Sequence, residues 1–298
     1  MRGEVKKTGS DFFIGYGLIL PTLFLLGVIV FYPLTYTFYL SLFDTSLILP
    51  KPSFIGFQGY AKIASSTTLW LVIKNSLIWT IIVVIFQFVL GLSAAVLLNQ
   101  KFIGRTLARG IVILPYVMPG IITAMVWRLM YDPQLGIINK FLYELGVIKT
   151  YTAWLGQPKT ALFAVIFSCI WKGFPFSTIM YLAALQTIPR DLCEAAELDG
   201  ANKWQTFITI TIPQMMPVIR VTVLLTWIGT FNYFELVWVM TKGGPTKSSH
   251  IFPTYIYEVA FQHFRFGPAS RYAVISFLIL LIFSILYIRE LSKKGVLK

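Results

Sequence analysis

Residues able to do chemistry are few, and the densest group is Pro189-Arg190-Asp191-Leu192-Cys193-Glu194-Ala195-Ala196-Glu197-Leu198-Asp199-Gly200, which sets five charged residues between two apolar stretches. Asp191 stands where a side chain caps a helix, and Glu194 three residues later completes the capping-box spacing. Gly200 suits the left-handed residue that closes a helix. The spacing predicts a helix of about eight residues, roughly 12 Å long at about 1.5 Å per residue. Asn202 and Gln205 repeat the cap spacing, which predicts a second short helix leading to Pro213 as the start of the next apolar segment. Ala195 and Ala196 allow a partner to approach closely, and Glu194 and Glu197 flank them with negative charge. Such a helix is built for docking; the alternative is a solvated loop between spans.

The other candidates are polar groups inside apolar runs, where each is costly and therefore a functional candidate. One run offers Tyr116 and Gly120, each directly after a proline, Pro115 and Pro119, that frees backbone carbonyls. A second offers Cys169, Trp171, Lys172, Gly173 and Phe176, with Pro175 expected to kink the helix. A third offers Thr230, Asn232, Tyr233 and Glu235. Aromatic faces of this kind stack on the apolar faces of sugar rings, while amides and hydroxyls read ring hydroxyls. The structural alternatives stay open. Trp171, Phe176 and Tyr233 also suit packing between helices or an aromatic belt, and Lys172 could snorkel. Arg128 and Glu235 are expected near the outer ends of their runs, at headgroups, water or a partner, and Arg220 at an interface. Two cysteines and two histidines, Cys169, Cys193, His250 and His263, make neither a disulfide scaffold nor a metal site.

The elements that must position these residues are membrane spans. The 298 residues are 57% hydrophobic and only 12% charged, with mean hydropathy +0.74; ordinary soluble domains carry about a quarter charged residues. A bilayer core of about 30 Å needs roughly 20 apolar residues of helix. Stretches of that kind predict an all-α integral membrane protein with six spans near 14–40, 75–98, 110–130, 162–185, 214–240 and 272–288, a single transmembrane domain over 1–298. The first span is too long for a signal-peptide core and reads as a retained anchor. Lys and Arg number 25 against 12 Asp and Glu, a net +13. These basic residues sit singly between apolar runs, so the excess bears on orientation and lipid headgroups, not on nucleic acid. Arg2, Lys6, Lys7, Lys101, Arg105, Arg109, Arg190, Lys203, Arg289, Lys293, Lys294 and Lys298 fall in short segments on one side, so the density of basic residues favours both termini inside. No loop is long enough for a soluble domain.

Glu194-Ala195-Ala196, three residues, Gly200, nine residues, Ile210-Thr211-Ile212-Pro213 resembles the EAA loop of ATP-binding-cassette importer permeases, departing only in Ile212 where leucine is usual. Pro115 to Gly120, Trp127 to Gly136, Ala184 to Pro189 and Thr241 to Pro245 resemble the sugar-importer branch, of the maltose and glycerol-3-phosphate type, over nearly the whole chain. The resemblance implies a type I importer permease in a prokaryotic cytoplasmic membrane. It implies a second, similar permease subunit, so that the pathway is a heterodimer, and a homodimeric ABC ATPase that binds ATP and Mg. It also implies an extracytoplasmic solute-binding protein. On that analogy the segment 190–213 is the cytoplasmic coupling element, with Asp191, Glu194, Ala195, Ala196, Gly200, Ile210 and Pro213 transmitting closure of the ATPase. Tyr116, Gly120, Cys169, Lys172, Gly173, Phe176 and Tyr233 fall on sugar-contact positions of the maltose permease; Trp171 and Asn232 join them on their chemistry alone. The cargo implied is a carbohydrate, the alternative a non-sugar solute such as glycerol-3-phosphate or another anion that Lys172 would pair. No G-x-x-x-x-G-K-[ST] motif occurs, so ATP hydrolysis is expected on the separate subunit and this chain itself is no enzyme. An integral-membrane enzyme would cluster carboxylates or histidines, and a secondary transporter would show inverted repeats; neither pattern is seen.

Overall fold

The computed structural model describes residues 9–46 and 52–293. Arg2, Lys6, Lys7, Lys294 and Lys298, which enter the orientation argument, lie outside the described residues. The chain divides into two units, residues 1–65 with 258–275, and residues 66–257 with 276–298.

The first unit begins with α1 (Gly9–Leu26), a π turn at Gly27–Phe31 and α2 (Tyr32–Ser41). Together these form one apolar helix long enough to cross a bilayer, and none of its residues from 17 to 40 is buried. Beyond it, β1 (Phe43–Asp44) pairs antiparallel with β2 (Ser53–Phe54), followed by α3 (Gln58–Ala64). The end of α2 leaves carbonyls without helical partners. Arg271, 3% exposed, supplies the donors: Nε to the Ser41 carbonyl at 3.1 Å and Nη2 to the Phe43 carbonyl at 3.0 Å, with Asp44 Oδ1 3.6 Å from Nη2. Gly59 leaves room for the guanidinium, since a Cβ there would lie 2.7 Å from Nη1.

The second unit holds the core. The helix α4 (Thr67–Asn99) starts at Ser66, whose Oγ accepts from the Thr68 amide at 3.3 Å. Its buried stripe runs Asn75, Trp79, Val83, Gln87, Gly91, Ala95, Leu98, the three-to-four-residue spacing of one helix face. That stripe packs on α8 (Ala161–Gln186). A Cβ at Gly91 would overlap the Ser177 side chain and lie 3.1 Å from the Thr178 backbone nitrogen, so the two helices meet at small residues, as membrane helices do.

Between them come α5 (Arg105–Val117) and α6 (Gly120–Met130), bent through 94° at the break. Pro119 disfavours the helical region for the residue before it, and Met118 is extended at φ −63°, ψ 133°. The single continuous span expected at 110–130 is therefore a broken pair. With that pair taken as one crossing, the described residues hold six helical segments long and apolar enough to span a membrane; counted as unbroken helices there are five. After α6, Asp132 Oδ1 accepts from the amides of Gln134 and Leu135, which hold its carboxyl below the usual range, and α7 (Ile137–Glu144) follows.

The charged segment after α8 is helical, but its caps differ from expectation. The helix α9 (Arg190–Leu198) begins directly after Pro189, whose φ of −59° starts it without a side-chain cap. Asp191 is thus inside the first turn, not at the cap, and Glu194 closes no capping box. At the other end Gly200 sits at φ +85°, its amide donating to the Glu197 carbonyl at 3.1 Å and the Ala201 amide to Ala196 at 2.9 Å, the paired bonds of a Schellman turn. The second cap holds as expected. Asn202 and Gln205 exchange side-chain and backbone bonds of 2.9 and 2.8 Å at the start of α10 (Lys203–Thr206).

Pro213 does not start a new helix. The chain runs from α10 through a π turn at Phe207–Thr211 into α11 (Ile212–Phe231) without interruption. Proline lacks the amide that would bond the carbonyl four residues back, and the wider π turn sits just before it. α11 stops where the Asn232 amide side chain bonds back to the Ile228 carbonyl at 3.1 Å, and α12 (Glu235–Thr241) resumes after the break. A loop then leads to α13 (Phe252–Tyr257); Asn75 donates to the Ser248 and His250 carbonyls and Ser76 accepts from the Phe252 amide, so this loop is tied to α4. Last is α14 (Phe266–Lys293), which from Ser276 onward lies in this unit, with Phe283 stacked on Trp227 at 4.0 Å and Tyr287 donating to the Arg220 carbonyl at 2.9 Å.

Candidate functional site

Two features of the second unit have the makings of a site: a cavity between broken helices and the exposed helix α9. The cavity, about 270 Å³, is lined from α4 by Gln87, from α5 by Tyr116, from α8 by Cys169, Lys172, Gly173 and Phe176, and from α11 by Leu225, Thr226, Gly229 and Thr230, with Tyr233 closing it. Its architecture follows from the breaks. Because Met118 is extended, its carbonyl leaves the helical ladder, and Lys172 Nζ donates to it at 2.5 Å. Because α11 ends at Phe231, Tyr233 turns in beside Gly120: a Cβ on Gly120 would lie 3.1 Å from Tyr233 Oη and would overlap the Glu235 carboxylate. Gly173 is required on similar grounds, since a Cβ there would overlap the Gln87 amide, whose Nε2 donates to the Cys169 carbonyl at 3.0 Å.

Tyr116 and Phe176 stack at 5.9 Å with ring planes 26° apart, a paired aromatic surface. Opposite in chemistry are Thr226 Oγ1 and Tyr233 Oη, both buried and both without a hydrogen-bond partner. A buried hydroxyl left unpaired is costly, so two of them on one small cavity are candidate hydrogen-bonding groups for a bound polar molecule or water. Lys172 is the one charged residue of the lining.

Of the residues expected to form a substrate pathway, Tyr116, Cys169, Lys172, Gly173, Phe176 and Tyr233 line the cavity, and Gly120 borders it through Tyr233 and Glu235. Trp171 does not: it packs edge-on against Trp127 at 5.6 Å beside the apolar cluster of α4, α6, α8 and α12. Asn232 is exposed, its amide spent on Ile228. Gln87, Leu225, Thr226 and Gly229 were not expected from the sequence. Glu235, expected at headgroups, water or a partner, is exposed, with its carboxylate over Gly120. For Gln87 a signal existed, an uncharged polar residue in mid-span. A larger cavity of about 660 Å³ between α6, α7 and α8 is lined almost wholly by apolar and aromatic side chains, Trp127, Phe141, Trp154 and Phe167 among them.

The helix α9 has no buried residue. Ala195 is exposed and Ala196 half-buried, Leu198 is 90% exposed, and on α10 Trp204 is 68% exposed. Acidic Glu194 and Glu197 are exposed beside them. A short helix held between a proline start and a Schellman close, with leucine and tryptophan left in the open, is a rigid unpartnered surface. Ile210 lies in the π turn and Pro213 at the first turn of α11, so both sit on the rod that joins α9 to the cavity-lining Thr226 and Thr230.

Comparison with known proteins gives three findings. Residues 87–296 match the family described as binding-protein-dependent transport system inner membrane component. Relatives include a probable ABC transporter permease protein of Brucella suis, 36% identical over 92% of this chain and 95% of that protein. Another is the trehalose/maltose transport system permease protein MalF of Thermococcus litoralis, 35% identical over 93% and 92%. Among solved structures, a bacterial alginate ABC transporter in complex with alginate pentasaccharide-bound periplasmic protein superposes with a TM-score of 0.81 at 25% identity, over 96% of each chain.

Proposed function

Since the chain belongs to the binding-protein-dependent inner membrane components, the multi-pass permease subunits of ABC importers, we propose that its cargo is a carbohydrate and that the 270 Å³ cavity is its half of the pathway. One observation carries the substrate class: stacked Tyr116 and Phe176 share a cavity with the unpartnered hydroxyls of Thr226 and Tyr233. A sugar ring offers what that surface lacks, a flat C–H face for the aromatics and hydroxyls for the oxygens. The trehalose/maltose and alginate transport named for the relatives supports the same class.

The partners follow from the family. A second, similar permease completes the pathway, a homodimeric ABC ATPase holds ATP and Mg, and an extracytoplasmic binding protein delivers the solute. This chain contributes no hydrolysis. Glu194, Ala195, Ala196 and Gly200 form the contact with the ATPase, Asp191 offsets the positive N-terminal end of the α9 dipole, and Ile210 and Pro213 pass motion into α11. Both termini then lie in the cytoplasm with α9, the side on which the basic residues are denser.

The test is to screen the binding protein that accompanies this permease against a panel of mono-, di- and oligosaccharides, amino acids, peptides and metal ions, then follow the ligand into proteoliposomes carrying the complete importer. A carbohydrate that binds and is accumulated with ATP is the expected result. An amino acid, a peptide or a metal as the ligand would overturn the substrate class.

A further inference from the structure

The charge lining the cavity is Lys172, and a lone lysine inside a membrane pathway would ordinarily mark a site for an anion. Its surroundings argue otherwise. Lys172 Nζ already donates to the Met118 carbonyl, the acceptor that Pro119 releases from the helical ladder. Two residues along, at Gly120, the same break meets the Glu235 carboxylate, which stands where a Cβ of Gly120 would be. A cation from α8 and an exposed carboxylate from the start of α12 thus converge on one short break from different elements. The other residues lining the cavity are uncharged. Gly120 is what admits the pair: any side chain there would push Glu235 away from the break.

We propose that Glu235 is the built-in counter-charge of Lys172, so that this chain's half of the pathway carries no net fixed charge and favours an uncharged solute over an anion. The inference deepens the carbohydrate reading, on which it rests for the chemical class but not for the charge. An anion entering the cavity would meet the Glu235 carboxylate near the Lys172 ammonium and would be repelled by it. A neutral polyol meets a ready dipole, with Lys172 donating and Glu235 accepting, at little cost in charge desolvation. Glu235 is here a specificity-determining residue whose effect runs through Lys172.

Two measurements on the complete importer test this. In the first, proteoliposomes with the cognate binding protein are offered maltotriose, trigalacturonate, glycerol 3-phosphate and a set of uncharged and zwitterionic small solutes. The expected cargo is electrically neutral, and maltotriose or another neutral sugar supports both readings. Accumulation of trigalacturonate overturns the charge inference and leaves the carbohydrate class standing. A neutral solute that is not a sugar does the reverse, and glycerol 3-phosphate overturns both. The second is a cycle of Lys172→Met, Glu235→Gln and the double variant, read as the melting temperature of the purified complex and as uptake of the identified cargo. Each single change leaves one charge uncompensated and should lower both readouts, uptake by about tenfold, while the double variant recovers to within about threefold of wild type. Losses that simply add in the double variant would overturn the pairing, and the melting temperatures alone decide that point whatever the cargo proves to be.

Discussion

Thr226 and Tyr233 are the residues on which the carbohydrate reading is most exposed. Each has a buried hydroxyl with no partner, an arrangement that costs about 1–3 kcal/mol when nothing fills it. Replacing Thr226 by Val keeps the side-chain shape and removes the orphan oxygen. The folded complex should then melt at the same temperature or slightly higher, while the KM for uptake rises about two- to tenfold, the equivalent of one hydrogen bond. A lower melting temperature with an unchanged KM would make Thr226 a structural residue only. This residue was the hardest to see in advance, because a helical threonine usually bonds its own preceding turn, as Thr222 does to the Val218 carbonyl at 2.8 Å. Tyr116, Lys172 and Phe176 were legible because polar and aromatic residues stand out beside prolines in an apolar run. Trp171 was misleading for the opposite reason: its chemistry suits a sugar face and a packed cluster equally, and only the approach of Trp127 decides between them.

At the scale of elements, the helices were readable and their interruptions only in part. Pro119 announces the break between α5 and α6, because the residue before a proline is pushed out of the helical region. The break after Phe231 has no proline; it depends on Asn232 turning back to Ile228, a choice of side-chain rotamer that spacing does not reveal. The start of α9 was misplaced because Asp191 has the chemistry of a cap, yet Pro189 ends the preceding turn earlier. The helices α4 and α8, which supply Gln87, Cys169, Lys172, Gly173 and Phe176 to the cavity, meet where Gly91 lies against Ser177. Gly91→Leu should separate these helices, lower the melting temperature of the purified complex by several degrees and shift the chain towards aggregates on size exclusion in detergent. Gly91→Ala should do the same to a smaller extent, in line with about 1–3 kcal/mol for overpacking. Wild-type melting in the leucine variant would mean that the helices do not meet at this glycine.

Within the second unit, one continuous rod, α10 through the π turn into α11, runs from the segment after α9 to the residues lining the cavity. Composition alone indicated the membrane class, and the twenty-residue spacing from Glu194 to Pro213 indicated the family, because both are set by the bilayer and by one compact segment. Assembly was not legible in the same way, since its contacts lie on surfaces of other chains. Leu198 and Trp204 are exposed and α9 is wholly unburied, the surface on which the proposed ATPase contact rests. Gly200 allows the most direct test, because its φ of +85° demands a residue tolerant of the left-handed region while a Cβ there would touch nothing within 4 Å. A change at this position therefore alters backbone conformation without creating a clash. The decisive measurement is ATP-driven uptake in proteoliposomes carrying the complete importer, compared for wild type, Gly200→Asn and Gly200→Val at equal levels of assembled complex. Asparagine, which enters the left-handed region readily, should retain most of the uptake; valine, which does not, should reduce it to background while the ATPase still hydrolyses ATP. Undiminished uptake in the valine variant would contradict the assignment of α9 as the element that couples hydrolysis to transport.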